Sequence, residues 1–286
     1  MAKPIMRRPS RRGLGGRHIY MTFNILHVNV ERDKHTDTVV KLLKEKDPHV
    51  VCFAEAMYKD VVAIADQLGY TFAFVPLVLL TDGTENDQEG SAILSKYPIL
   101  ETQKLGYSDA AQALPLEVAL DGLVMKNGER PQSRFSWNYT LLTARIQLDG
   151  DQVITISTTH FPVTDHSTPG YADHEIRSLQ NVDDMEHSKV YLERLIAKLR
   201  SINGPLVFTA DLNNPRGEFF YDTLAHELVD HVPHSLTSSI DPNLHRAKDL
   251  KLVVDTIMTS PDVSAQSFEV IEGVSDHKAF LAMLDV

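Results

Sequence analysis

Polar side chains with chemical reach stand where the apolar runs of this chain stop. Asn24 follows Met-Thr-Phe, Glu55 follows Val-Val-Cys-Phe-Ala, His160 follows Ile-Ser-Thr-Thr, Asp211 follows Leu-Val-Phe-Thr-Ala and Asp255 follows Leu-Val-Val. Asp276-His277 directly precedes the last apolar run, and Asn213 stands two residues beyond Asp211. Carboxylates hold hard divalent cations or orient a water, imidazoles trade protons or brace an anion, and amides bind oxygen without adding charge. Together these are the parts that hydrolysis of a phosphate ester requires. Taken singly they are weak, because a glutamate closing a strand is usually a solvated edge. Six such coincidences in order carry more weight, since strand ends converge in a sheet protein and bring distant residues to one cleft.

The elements that must position these groups follow from periodicity. Alternation predicts a strand over Ile19–Ile25, with Asn24 near its C-terminal end. A helical stripe over Thr36–Lys46 stops before Pro48, the run Val50–Ala54 reads as a buried strand ending at Glu55, and a second helix over Lys59–Leu68 ends at Gly69. β-rich segments follow at Thr71–Val75, Gly90–Ser95, Ile99–Gly106, Tyr139–Leu148 and Val153–Thr159, with Asp149-Gly150 as a hairpin turn. A helix is predicted over Asp173–Ser201, a strand over Leu206–Ala210, a short helix near Phe219–Leu228, and strands over Leu252–Met258, Phe268–Ile271 and Ala279–Leu284. The stretch 107–136 yields no assignment. Each half reads helix, strand, then further strands. That predicts an α+β, four-layer α/β/β/α sandwich, with two mainly antiparallel sheets face to face and helices outside.

Composition narrows the function. The chain has 286 residues, 43% hydrophobic and 23% charged, as expected of a globular enzyme, and no apolar run approaches the length of a membrane span. The one cysteine, Cys52, lies in an apolar run and forms no intrachain disulfide or thiolate metal site; a small buried hydrophobe is its expected role, and a cytoplasmic location is the expectation. Of 28 Lys and Arg, six fall in residues 1–20, which contain no acid, so the remainder opposes 22 basic to all 39 acidic side chains. Residues 1–20 read as a basic, disordered arm with a targeting role left open, and 21–286 as a single domain. An acidic body argues against a processive nuclease on long duplexes but not against one acting on ends or small fragments.

The pieces Thr22-Phe23-Asn24-Ile25, Val51-Cys52-Phe53-Ala54-Glu55, Gly90-Ser91-Ala92-Ile93-Leu94-Ser95, Thr159-His160-Phe161, Thr209-Ala210-Asp211-Leu212-Asn213, Val253-Val254-Asp255 and Ser275-Asp276-His277 resemble, in this order, the endonuclease/exonuclease/phosphatase superfamily with its deoxyribonuclease I-like fold. The resemblance implies a divalent-metal-dependent phosphoric ester hydrolase using Mg2+, with Mn2+ as a substitute. It makes Glu55, Asn24 and Asp276 metal residues and His160, Asp211, Asn213, Asp255 and His277 catalytic. Asp211 would orient or deprotonate the attacking water, His277 paired with Asp255 would contact the phosphate or exchange protons, and His160 would donate to a non-bridging oxygen. Asn24 and Asn213 would hold substrate, as would Arg177, while His245 and Arg246 are read as substrate-facing from their residue types alone. Arg177 and Gln180 lie one turn apart on the predicted helix, where the superfamily often has Arg-x-x-Gln.

Histidine at 160 resembles the deoxyribonuclease, sphingomyelinase, tyrosyl-DNA phosphodiesterase and deadenylase branches more than the abasic-site repair branch. Asn24 also lacks an acid two residues on, which weakens the repair reading further. Val253 and Thr256 stand where an arginine and an aromatic residue often flank the aspartate matched by Asp255, and the loop Ser235–Lys251 matches no branch. The expected activity is a phosphodiesterase on nucleic-acid ends or small nucleotide diesters. A sphingomyelinase-like or inositol-phosphate hydrolase is the enzymatic alternative, and a catalytically silent scaffold the non-enzymatic one.

Overall fold

A computed structural model of the chain describes residues 21–81, 86–108, 124–126, 138–163 and 183–286. The basic arm, Arg177, Gln180, most of the 107–136 stretch and the first part of the helix expected from Asp173 lie outside the described residues.

Two sheets form the centre of a four-layer sandwich. The first orders its strands β12 (Ser264–Ile271), β13 (Ala279–Asp285), β1 (Thr22–Asn29), β2 (Val50–Met57), β4 (Asn86–Ser95), β3 (Thr71–Thr81) and β6 (Val124–Lys126). The second orders β10 (Val229–Asp230), β11 (Asp255–Thr259), β9 (Leu206–Asp211), β8 (Val153–His160), β7 (Thr140–Gln147) and β5 (Ile99–Gly106). Pairing is antiparallel except at β1/β2, β8/β9 and β3/β6. The parallel β1/β2 and β8/β9 pairs need crossovers, and these contain α1 (Thr36–Lys46) and α3 (Asp183–Ser201). Helices α2 (Tyr58–Leu68) and α4 (Phe219–Glu227) complete the outer layers.

Strand alternation sorts the side chains. Leu26 and Val28 of β1 and Val51 and Phe53 of β2 form one apolar cluster with Val39, Leu42 and Leu43 of α1 and Val61 and Ile64 of α2. The opposite faces of these strands carry Phe23, Ile25, Val50 and Cys52, which join Ile154, Ile156, Val207 and Ile257 of the second sheet in the core. Tyr191, Leu192 and Leu195 of α3 and Phe220, Tyr221 and Leu224 of α4 belong to the same cluster. Cys52 is buried there, and burial pushes its thiol up to about 12. It is a packing residue.

Helix ends follow local chemistry. Asp47 takes a left-handed conformation (φ 47°) before Pro48 and caps α1, while Gly69 (φ 73°) does so for α2. The first strand departs from its sequence reading at its C-terminal end: it continues past Ile25 to Asn29, because it pairs with β13 over Thr22–His27 and with β2 over Ile25–Asn29.

Two bulges flank one position of β4. Pairing with β2 slips between Phe53 and Ala56, and pairing with β3 slips between Pro76 and Val78, both opposite Gly90. The bend brings Val75 so close that a Cβ on Gly90 would lie 2.1 Å from its carbonyl oxygen and 2.9 Å from Pro76 Cα. Gly90→Ala is therefore predicted to lower stability by about 2 kcal/mol or more. Urea unfolding checks this, and a midpoint equal to that of the parent chain contradicts it.

Candidate active site

The space between the sheets changes character along its length. Inward positions of β1 read Phe23, Ile25, His27, Asn29; those of β8 read Ile154, Ile156, Thr158, His160; those of β9 read Val207, Thr209, Asp211. Because the two parallel pairs end at one edge, their last inward residues meet there: Asn29, His160 and Asp211. Glu55 reaches the same edge from the β2 bulge. Antiparallel β11 begins at it, with Asp255 in register with Asp211. The turn before β13 supplies Asp276 and His277.

The hydrogen bonds link both sheets. Asn29 Nδ2 donates to Asp211 Oδ2 at 2.9 Å and to Glu55 Oε1 at 3.0 Å, and its Oδ1 accepts from the Glu31 amide at 3.0 Å. Asp211 Oδ1 accepts from the Asn213 amide at 2.9 Å. Asn213 Nδ2 lies 2.7 Å from His160 Nε2 and donates to the Phe161 carbonyl at 3.0 Å. His160 Nε2 stands 3.6 Å from Glu55 Oε1 and 3.8 Å from Asp211 Oδ2. His277 Nδ1 lies 2.7 Å from Asp255 Oδ2 and 3.8 Å from Asp211 Oδ2. Two of these residues, Glu55 (φ 53°) and Asn213 (φ 51°), hold left-handed backbone, a strained state that clusters at functional sites.

Electrostatics follow from burying these groups together. Burial alone would lower the His277 imidazole, but the facing Asp255 and Asp211 charges and the Asp255 hydrogen bond hold it well above its ordinary 6.5. Asp255 is the converse: burial opposes ionisation, yet His277 and His27 hold it below the usual carboxylate range. Burial also works against the Glu55 carboxylate, and His160, Asn29, Arg32 and His277 outweigh it. Asp276 is pushed up to about 6 by burial and by the charges of Glu55 and Glu31, against the lowering effect of His277 and the Ser275 hydroxyl. A carboxylate raised by burial and by nearby acids is a place where added positive charge would be stabilising. Glu55, His160 and Asp211, and likewise Asp211, Asp255 and His277, bring ligand atoms within 4.8 Å of one another, close enough to hold a divalent cation.

Asn24 does not join this group. It lies five residues before the end of β1, where its Oδ1 accepts from the His49 amide at 2.7 Å and its own amide donates to His49 Nδ1 at 3.1 Å. A strand ended four residues early has the wrong asparagine at its tip. Asn29 occupies that place, and the continued alternation Phe23, Ile25, His27, Asn29 before the charged run Glu31-Arg32-Asp33-Lys34 is the signal for it. The position two beyond Asn29 is acidic, Glu31, so the acid that Asn24 lacks two residues on is present after Asn29.

The loop Ser235–Lys251 packs beneath the edge. The Ser239 hydroxyl accepts from the Val254 and Asp255 amides, the Asp241 amide donates to the Asp276 carbonyl, and Asp241 Oδ2 accepts from the Gly273 amide at 2.7 Å. His245 reaches the site, its Nε2 3.9 Å from Asp276 Oδ2 and its ring 6.3 Å from that of His277. Arg246 is exposed and shares none of these contacts. Besides Asn29, the sequence pattern does not reveal His27, whose Nε2 lies 3.3 Å from Asp255 Oδ1, or the pair formed by Arg32 Nε and the buried Glu89 at 2.6 Å. Arg32 also donates its amide to the Glu55 carbonyl at 2.9 Å, so this pair holds the backbone of Glu55.

A two-sheet sandwich with carboxylates, amides and imidazoles gathered at one edge is the architecture of a known family. The chain belongs to the endonuclease/exonuclease/phosphatase family, whose profile matches residues 21–277. No curated protein matches it by sequence. Among solved structures it is similar to an endonuclease/exonuclease/phosphatase from Beutenbergia cavernae DSM 12333, with 14% identity, 93% of this chain and 72% of that chain covered, and a TM-score of 0.63. It is similar to ANGEL2, described as a 2′,3′-cyclic phosphatase, with 12% identity, coverage of 93% and 96%, and a TM-score of 0.64. It is also similar to a mannosyl-6-phosphatase of Bacteroides thetaiotaomicron VPI-5482, with 14% identity, coverage of 92% and 99%, and a TM-score of 0.58. At these identities the likeness establishes the fold. No helix among the described residues is long and apolar enough to cross a membrane.

The His277–Asp255 pair gives a signed pH dependence. A folded-state value raised above the unfolded one makes the His277 contribution full below about pH 6.5, declining as pH rises through the folded value. The stability difference between the parent chain and His277→Asn, measured by urea unfolding without metal, is thus predicted to shrink toward alkaline pH. A difference that grows with pH contradicts the assignment.

Proposed function

We propose that the chain is a divalent-metal-dependent phosphohydrolase, acting as a phosphodiesterase on nucleic-acid ends or small nucleotide diesters by in-line attack of water. The observation that carries this reading is the buried His277–Asp255 pair set beside an Asp211 held by Asn29 and Asn213, with Glu55 at the same edge.

The donor chemistry fits a hard cation: Glu55 and Asp276 are oxygen donors, and Asp276 is raised by burial and then by the charge of Glu55. Glu55 and Asp276 would hold Mg2+, or Mn2+ in its place, with Asn29 taking the role first expected of Asn24. When bound, the ion neutralises charge on the phosphoryl oxygens and organises water. The protein side chains do the rest. Asp211, fixed by donors on both oxygens, orients the attacking water and accepts its proton. His277, kept cationic by Asp255, donates to a non-bridging oxygen as charge develops, and His160 with Asn213 lines the space on the side of the second sheet. His245 stands at the rim beside Asp276, placed to meet the substrate's leaving portion. The excess of acid over base beyond residue 20 supports short or small substrates over long duplexes.

Hydrolysis of bis-p-nitrophenyl phosphate with Mg2+ tests this. Asp211→Ala is predicted to lower kcat about 1,000-fold, Asn29→Ala about 100-fold, and Asn24→Ala not at all. Loss in Asn24→Ala with none in Asn29→Ala would refute the placement of the asparagine. A competition panel of labelled single-stranded DNA, RNA, 5′-tyrosyl DNA, sphingomyelin and inositol phosphates reads the substrate class. Hydrolysis of the lipid alone would overturn the nucleotide assignment.

A further inference from the structure

His27 is buried to 0% exposure in the middle of β1, two residues before Asn29, on the face that meets the second sheet. Its register neighbours are Cys52 on β2 and Phe280 on β13, so an apolar side chain would suit the packing there. Instead the imidazole places Nε2 3.3 Å from Asp255 Oδ1, while His277 Nδ1 holds the other carboxylate oxygen at 2.7 Å. Among the described residues, His27 Nδ1 is buried with no hydrogen-bond partner. Asp255 is a carboxylate that can only accept, so the ring's Nε2–H is the donor in this contact.

We infer that His27 is a positioning residue, fixing the Asp255 carboxylate from the opposite sheet so that its second oxygen orients His277. A carboxylate accepting from His277 alone could rotate about its Cβ–Cγ bond and present either oxygen. With both oxygens engaged by imidazoles from different elements it has one orientation. The Asp255 amide, held by the Ser239 hydroxyl at 3.2 Å, fixes the backbone from the third side. The bond to His27 also ties the two sheets together at their ionic end. It acts on the reaction through Asp255 and His277, so this inference rests on the phosphohydrolase reading above.

The test combines one measurement on the parent chain with two variants. In the folded parent chain, 15N-labelled histidine spectra are expected to show a proton on His27 Nε2. His27→Leu is expected to lower kcat for bis-p-nitrophenyl phosphate about 10–100-fold with KM unchanged. His27→Gln, which can return a donor near the Nε2 position, is expected to recover most of that loss. A His27 Nε2 that carries no proton, or a His27→Leu kcat equal to that of an active parent, overturns the inference. So does equal loss in both variants, which would mean that the ring's shape matters and not its hydrogen bond. A parent chain inactive on every phosphoric ester overturns the phosphohydrolase reading itself, and the His27 role falls with it.

Discussion

Between the two sheets lies one continuous interior, and at one end of it the protein buries ionised groups. Asp211 and Asp255 are at most 1% exposed and His277 only 7%. Removing such charges from water costs several kcal/mol for each ion unless each finds partners of the right geometry. Here the partners are built from both sheets: Asn29 of β1 reaches Asp211 of β9, and His27 of β1 reaches Asp255 of β11. The relative placement of the sheets is therefore fixed twice, by apolar packing at one end and by hydrogen bonds at the other. The second contact tolerates far less slippage.

The topology makes that end possible. Parallel pairs β1/β2 and β8/β9 deliver four chain segments to one edge with the same polarity, and each pair ends in a polar side chain after a run of apolar ones. Glu55 needs a further device, because simple alternation after Ala54 would turn it toward α1 and α2. The bulge between Phe53 and Ala56 reverses the alternation, and the left-handed backbone at Glu55 brings the carboxylate into the ionic end. Gly90 on the neighbouring strand and the Arg32–Glu89 pair are the supports of that distortion. The motif pieces Val-Val-Cys-Phe-Ala-Glu and Gly-Ser-Ala-Ile thus form one mechanical unit, though 35 positions separate Glu55 from Gly90 in sequence.

Much of this architecture is legible in the amino-acid sequence, for a physical reason. Buried strands in a two-sheet core read as short apolar runs, and a polar residue closing such a run stands out, as at Glu55, His160 and Asp211. The four-layer architecture follows from the same runs. The first strand escapes this logic because polar residues are interspersed through it. Asn24 interrupts it early, whereas the turn to solvent comes only after Asn29. His27 is invisible for a related reason, since one buried histidine in an apolar strand carries no periodic signal. Arg32–Glu89, and the bracing of the edge by Ser239 and Asp241, depend on irregular backbone whose meeting points no local pattern encodes. In the Ser235–Lys251 loop residue type alone singles out both His245 and Arg246. His245 reaches the site, whereas Arg246 is exposed.

The central claim is that the ionic end is shaped around a divalent cation held through Glu55. Thermal unfolding under a Mn2+ titration, in the parent chain and in Glu55→Gln, addresses it without depending on any substrate. A ligand that binds only the folded state adds about 2.7 kcal/mol when present at one hundred times its Kd. The account predicts a Tm that climbs steadily with Mn2+ in the parent chain, is reversed by chelation, and stays flat in Glu55→Gln. An equal rise in both proteins, or none in the parent chain, would contradict it.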